Sequence, residues 1–461
     1  MSDSRQLNIL LTKSPARLLW DYSLPAVTGM LVMALYNIVD RIFVGQVVGP
    51  QAIAGLTVTF PVMNISTALG VLIGVGASAR ISIALGQKRT DRAEQVLGNA
   101  LVMTIIIGIS YITGFYFFLE PLLRSFGASD STLPYAFEFM TWQLPGLLFA
   151  NLTYSMNNLI RSSGYPKIAM YTMLLGAAVN VILDPVFIYW LDMGIRGAAI
   201  ATDIAMFISM IFVLRHFFRK DVTVRFKRGI YRLRWHIIWG MITIGAAPSI
   251  VNVAGCLINI IINNALLAMG GDNAVAAAGI FTTFTQVLVS VCIGICQGMQ
   301  PIIGYNYGAG RFDRLRSVYN YAVLAATAIV GTGWFISMTF PGFVPRCFTT
   351  DSELCGVASN ALHISMFFFW MVGFQIVSTT LFQAIGAAAK SIFLGLTRQV
   401  LFLLPMFYLL PKWYGLNGIW YSFPTGDACA TVVTVLLVWN EFRKMKKLRT
   451  DSGTLSGQLS R

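Results

Sequence analysis

GASARISIALGQKRTDRAEQ, residues 76–95, and GMQPIIGYNYGAGRFDRLRS, residues 298–317, are the two stretches that organise this chain of 461 residues. Aligned from Gly76 and Gly298, they match Gly86 with Gly308, Arg89 with Arg311, Asp91 with Asp313 and Arg92 with Arg314, all at an offset of 222 residues. The same offset pairs Gly164 with Gly386, and one residue further on Pro25 pairs with Pro248 and Asp40 with Asn263. Leu and Ile recur by chance in any two apolar segments, but Gly and charged residues at a near-constant spacing do not, so the chain reads as an internal duplication. In each copy an apolar run ends at the glycine and a Gly-x-x-Arg-x-Asp-Arg turn follows. That turn reads first as structure, a glycine ending one helix and an aspartate capping the next, with a latch between the copies as the functional alternative.

The composition around these stretches names the solvent. Apolar residues make up 56% of the chain and charged residues 11%, against about 25% charged in soluble domains, and the mean hydropathy is +0.69. A water-soluble enzyme of this size is excluded, and 32 Phe, 17 Tyr and 10 Trp exclude disorder. A helix crossing the hydrocarbon needs about 20 residues. The apolar runs give twelve such spans, near 19–44, 52–78, 95–118, 134–158, 166–190, 197–214, 237–267, 274–300, 317–340, 358–384, 391–411 and 416–439. Runs such as LVMTIIIGISYITGFYFFL lack the strict alternation of a transmembrane β-strand. The expected fold class is therefore an all-α polytopic membrane protein with twelve transmembrane helices in two six-helix lobes. An even number of spans per copy gives both lobes the same orientation, related by an axis along the membrane normal around a central cleft.

The net charge of +14 lies in short patches between the apolar runs, so it points to topology and not to nucleic acid. Clusters at 80–92, 215–234, 311–316 and after the last span share one side of the membrane. The Lys390 and Arg398 pair, counted with the loops, joins them. The positive-inside rule then places both termini in the cytoplasm. The expected organisation is a cytoplasmic N-terminal tail (1–18), an N-lobe (19–214), a cytoplasmic linker (215–236), a C-lobe (237–440) and a basic cytoplasmic tail (441–461). No cleavable signal peptide is expected. Cys256, Cys292, Cys296 and Cys429 read as small buried hydrophobes, while Cys347 and Cys355 flank a polar loop where spacing leaves a disulfide open. No GxxxxGK[ST] loop, HExxH or Ser/His/Asp set is present, and there are only three His. Neither catalysis nor ATP use is expected, and any active transport would run on an ion gradient.

Ionisable residues inside spans are costly, and each is a site candidate by default. Asp184 leads, because Pro185 after it removes a backbone donor, kinks the helix and frees carbonyls. Asn180 stands one turn earlier on the same face, and Thr202 lies in the next span. Asp40, with Asn37 and Tyr36, forms a similar face in span one. Two carboxylates sharing a dry pocket favour holding a proton between them. Asp203 reads as structural, and Asp427 as an unassigned polar contact. Asn157, Asn158 and Met206 are candidates for lining the cleft. With Asp272 the only acid of spans seven and eight, lying in the turn between them, the ionic site is expected in the first lobe alone.

These features resemble the multidrug and toxic compound extrusion (MATE) family. The resemblance rests on the twelve spans in two repeats, on YNIVDRIFVGQVVGPQAIAGLTVTFPV from Tyr36, on the two charged turns, on RSSGYPK at 161–167 and on NVILDPVFI in span five, and it covers about 20–439. It implies export of organic, usually cationic or amphipathic compounds in exchange for H⁺ or Na⁺. It further implies the site pattern of the prokaryotic branch with archaeal and DNA-damage-inducible types, whose Asp, Asn, Asp and Thr match Asp40, Asn180, Asp184 and Thr202. Those four could also supply oxygen ligands to Na⁺. Acids carried by another branch in spans seven and eight are missing, Asn263 standing there instead. Pro25 matches a proline at which span one bends in some members. A monomer in the bacterial cytoplasmic membrane, contacting lipid and small molecules, with no cofactor, is the expectation. A lipid-linked oligosaccharide flippase of the same superfamily is the rival, opposed by the lack of Arg or Lys within the first-lobe spans. A non-transporting scaffold or receptor is the alternative of another class.

Overall fold

The computed structural model describes the backbone of residues 9–47 and 50–458 and the side chains of 9–35 and 55–447. Every regular element among them is a helix: α1 (Pro15–Val47), α2 (Pro50–Gly86), α3 (Thr90–Ser125), α4 (Leu133–Ser162), α5 (Pro166–Pro185), α6 (Gly194–Phe217), α7 (Trp235–Gly308), α8 (Phe312–Thr339), α9 (Ser352–Ser365), α10 (Val372–Ala384), α11 (Ala388–Leu396) and α12 (Leu416–Gln458), with shorter turns between them. Nine helices of the described residues are individually long and apolar enough to span a membrane, and α9 with α10, bent by 52° at their junction, make a tenth. Two further passages complete twelve. α4 is 30 residues long but carries more polar side chains. The 74 residues of α7 would extend about 110 Å if straight, and Gly271, with φ 63 and ψ −161, turns the chain back in the middle. Only a residue without a Cβ adopts that backbone cheaply. Large aromatic side chains stay on the outside near span ends, Trp190 (76% exposed), Trp235 (72%) and Trp413 (72%) among them, as expected where helix ends meet lipid headgroups.

The duplication is visible in how matched glycines pack. Gly86 in α2 lies against the Tyr305 carbonyl of α7, and its partner Gly308 lies against the Ile83 carbonyl of α2. Gly76 meets Met241 of α7, while Gly298 meets the backbone of Ser23 in α1. A Cβ at any of the four would overlap a neighbouring backbone. Matched residues exchanging partner lobes is the signature of a twofold axis between the repeats.

These contacts share one end of the molecule, that of the linker between α6 and α7. There one hydrophobic cluster runs across both halves and joins Leu18, Ile81, Met156 and Phe217 to Met241, Ile302 and Ile303. Toward the far end the first half has a separate cluster built on Val62, Leu123, Met140, Leu144 and Ile188. The lobes share a core at the linker end that continues through the second lobe, while the far end of the first lobe has a core of its own.

The linker is strapped down. Asn99 of α3 donates to the carbonyls of Ile230 (3.3 Å) and Arg232 (3.2 Å) and accepts from the Arg234 amide (2.8 Å), while buried Glu94 pairs with Lys227 at 2.6 Å. Two features extend this end. The segment before span one packs inward, with Leu10 and Leu18 fully buried and the Leu10 and Lys13 carbonyls accepting from Arg314. The C-terminal helix continues through the basic segment to Gln458. The charged turns differ from expectation. The left-handed residues are Lys88 (φ 59) and Gly310 (φ 68), again 222 apart, and Asp91 and Asp313 lie in the first helical turns, the N-cap positions being Arg89 and Arg311.

Candidate functional site

Span five breaks where the sequence places Pro185. α5 ends at Pro185 and continues as the π turn Val186–Trp190, because proline cannot donate to the preceding turn and its ring displaces that carbonyl. One turn earlier, Asn180 is 1% exposed and Asp184 wholly buried. Asn180 Nδ2 donates both to Asp184 Oδ1 at 3.1 Å and to Thr202 Oγ1 of α6 at 3.2 Å. Asn180 Oδ1 is buried with no hydrogen-bond partner. Asn180, Asp184 and Thr202 therefore form one cluster of oxygen donors, and an orphaned amide oxygen beside a buried carboxylate suits a proton or a small cation. Asp40, Asn37 and Tyr36 lie outside the described side chains; the α1 backbone that carries them packs against α5 where Gly29 touches Met173. Pro25 is buried within α1.

The remaining candidates fall elsewhere. Asn157, 5% exposed, donates to the Ala169 carbonyl at 2.7 Å and accepts from Arg161 at 2.8 Å. Asn158, equally buried, donates to the Tyr154 carbonyl at 2.9 Å. Met206 is half-buried, and its backbone accepts from Thr153 at 3.4 Å.

Sequence reading missed three arrangements. Arg161 is 4% exposed and reaches across the lobe interface to Gln297 of α7. The premise that first-lobe spans lack Arg and Lys is thus wrong, for α2 and α4 run on past the apolar stretches and enclose Arg80 and Arg161. Asp203 accepts from the Gly146 amide at 3.1 Å, and a Cβ on Gly146 would overlap its carboxylate. Arg398, counted with the loops, lies in the π turn Thr397–Leu403 and bonds Asp427 of α12 at 2.6 Å. The signal for this last pair was present, two opposite charges inside adjacent apolar runs. Cys347 and Cys355 are free thiols, bonded to the Phe343 and Thr349 carbonyls. Among the described residues no three His, Cys, Asp or Glu side chains converge as a metal site would require.

Two repeats of six spans around a lobe interface, with a buried acid in a broken helix, define a polytopic membrane transporter. The MatE family profile matches this chain twice, over residues 25–186 and 247–409, so the chain belongs to the multidrug and toxic compound extrusion family and is a transporter, not an enzyme. Multidrug export protein MepA of Staphylococcus saprophyticus is 24% identical over 418 residues, spanning 91% of this chain and 92% of its own length. The protein of that name from Staphylococcus aureus (strain MSSA476) is 24% identical over 428 residues, spanning 93% and 94%. Among solved structures, an outward-facing conformation of a multidrug resistance MATE family transporter of the MOP superfamily superposes with a TM-score of 0.89 at 27% identity, covering 95% of this chain and 98% of that one. A MATE structure in the bent conformation gives 0.90 at 26% identity, covering 96% and 98%.

Proposed function

We propose that the protein exports organic cationic or amphipathic compounds in exchange for inward-moving H⁺, with Na⁺ as the second candidate ion, through the first-lobe site of Asp40, Asn180, Asp184 and Thr202. Secondary active multidrug efflux is the activity that the fold and family carry. The observation supporting the site is the Asn180–Asp184–Thr202 cluster, wholly or partly buried at the break in span five. Asp40 follows Gly29 by the same eleven residues as Asp184 follows Met173, the residue Gly29 touches. Equal spacing from that contact supports reading the two acids at one level. Protonation needs only a carboxyl whose charge is disfavoured by low dielectric and a second acid, whereas Na⁺ needs several oxygens held at once. The donor set is that of the archaeal-like branch, to which we assign the chain.

Alternating access follows from lobes 19–214 and 237–440 rocking about the glycine contacts at the linker end. A shared core at that end and a separate first-lobe core at the far end support an outward-facing state, with the linker and both termini in the cytoplasm of a bacterial cell and the chain acting as a monomer. Efflux of a cationic dye from proteoliposomes energised by a pH gradient alone or a Na⁺ gradient alone tests the ion. Efflux on the pH gradient is expected, and transport that needs Na⁺ and ignores pH would overturn the proton assignment.

A further inference from the structure

The Arg398–Asp427 pair bridges the fifth and sixth spans of the second lobe, as the Asn180–Thr202 bond bridges them in the first. In each lobe the fifth span has a π turn next to a proline, Val186–Trp190 after Pro185 and Thr397–Leu403 before Pro405. The following helix starts beside a left-handed glycine, Gly194 (φ 53) or Gly415 (φ 56). Three residues on, Gly197 and Gly418 press on the preceding segment at Phe187 and Leu410. Within this frame Asn180 stands five residues before its proline and Arg398 seven, while in the sixth span Thr202 lies five residues past Gly197 and Asp427 nine past Gly418, so the second-lobe bridge sits about one turn away from the first-lobe level.

The chemistry differs between the two copies. In the second lobe Arg398 Nε donates to Asp427 Oδ1 at 2.6 Å, the carboxylate 4% exposed and the guanidinium 30%. Gln375 Nε2 closes the far side, donating to the Asp427 carbonyl at 2.8 Å and to Thr431 Oγ1 at 2.7 Å. Gln399 lies against Gly255 of α7, and the Oε1 atoms of Gln375 and Gln399 are buried without partners. Arg398 lies about 15 Å along the helical path from Ala388, near mid-membrane on a hydrocarbon core about 30 Å thick. A carboxylate at that depth requires a cation or a proton, and a guanidinium there keeps its charge. Being part of the chain, it is always present beside the acid, and a free ion must compete with it at a high effective concentration.

We infer that Arg398 is a tethered cation on the bridge between the fifth and sixth spans of the second lobe, so that Asp427 binds no exchanging ion and coupling is confined to the first lobe. The confinement rests on the first-lobe assignment above; the masking of Asp427 does not.

Thermal melting of the purified full-length protein tests it, in an Asp184→Asn background that silences the first site. Adding Arg398→Gln uncovers Asp427, so the melting temperature should rise by several degrees on acidification or on adding Na⁺, because the folded acid then gains more from a proton or cation than the unfolded one. The background alone should respond less, through acids it retains such as Asp203, and Asp427→Asn added to Arg398→Gln should return the response to that level. If Arg398→Gln yields no folded protein, recovery by Asp427→Asn and folding of Arg398→Lys support the inference, since the first removes the unpaired buried acid and the second keeps a cation beside it. A response no larger than in the background, or failure of Asp427→Asn to rescue folding, would overturn it. Intact efflux in the Asp184→Asn protein would count against the first-lobe assignment alone.

Discussion

Thr202 touches the Asn180–Asp184 pair through one hydrogen bond, from Asn180 Nδ2 at 3.2 Å. Replacing it by Val removes an oxygen at nearly constant shape and leaves the acid, so ion affinity should fall by the worth of one bond, roughly 0.5–1.5 kcal/mol or two- to tenfold. The ion concentration giving half-maximal efflux measures this. Gly146→Ala should do more damage without touching the site, because its new methyl would overlap the Asp203 carboxylate. Overpacking of this kind costs about 1–3 kcal/mol and would appear as a lowered melting temperature. Asp184 was legible because an acid directly before a proline in an apolar run is expensive to bury and so stands out from its neighbours. The Asp203 contact was not, since the Gly146 amide belongs to another span and pairing between spans leaves no local pattern. Arg398 was misread for a different reason: charge counting assigned it to a loop, although its run of apolar neighbours begins at Ala388.

At the scale of elements, the two charged turns show how a repeat can be right in register and misassigned in detail. Gly86 and Gly308 are glycines because a neighbouring backbone leaves no room for a side chain, while the left-handed position two residues later is Lys88 in one copy and Gly310 in the other. Lys88→Gly should therefore stabilise the protein slightly, by no more than about 1 kcal/mol, the strain relieved being offset by the greater freedom of unfolded glycine. Melting of the purified variant checks the sign. The opposite case is Asp351, which caps α9 by accepting from the Glu353 amide at 3.0 Å. Asp351→Ala should cost about 1 kcal/mol, seen as a small drop in melting temperature with efflux retained. The twelve spans were readable from apolar length. Their ends were not, because helices continue past the hydrocarbon into polar sequence, where apolar length no longer marks them.

For the whole molecule, the repeat, the twofold exchange of glycine contacts and the one-sided fusion of the cores describe a pair of lobes able to separate at either end. The orientation makes a direct expectation. Native Cys347 is exposed in the loop between the ninth span and α9, and an impermeant thiol reagent should label it on intact cells, whereas a cysteine at Arg228 in the linker should stay unlabelled until the membrane is opened. Labelling of the linker from outside would invert the topology. The central claim is that the ion gradient acts through the acid in the broken fifth span. Gradient-driven efflux by wild-type and Asp184→Asn protein, reconstituted in equal amount, tests that claim most directly, since the amide keeps the shape and the Asn180 contact remains possible while the exchangeable charge is gone. The account predicts a folded variant that still binds substrate and shows no efflux above an unenergised control. Efflux at the wild-type rate would contradict it and leave Asp184 as no more than a bonded residue beside the Pro185 kink.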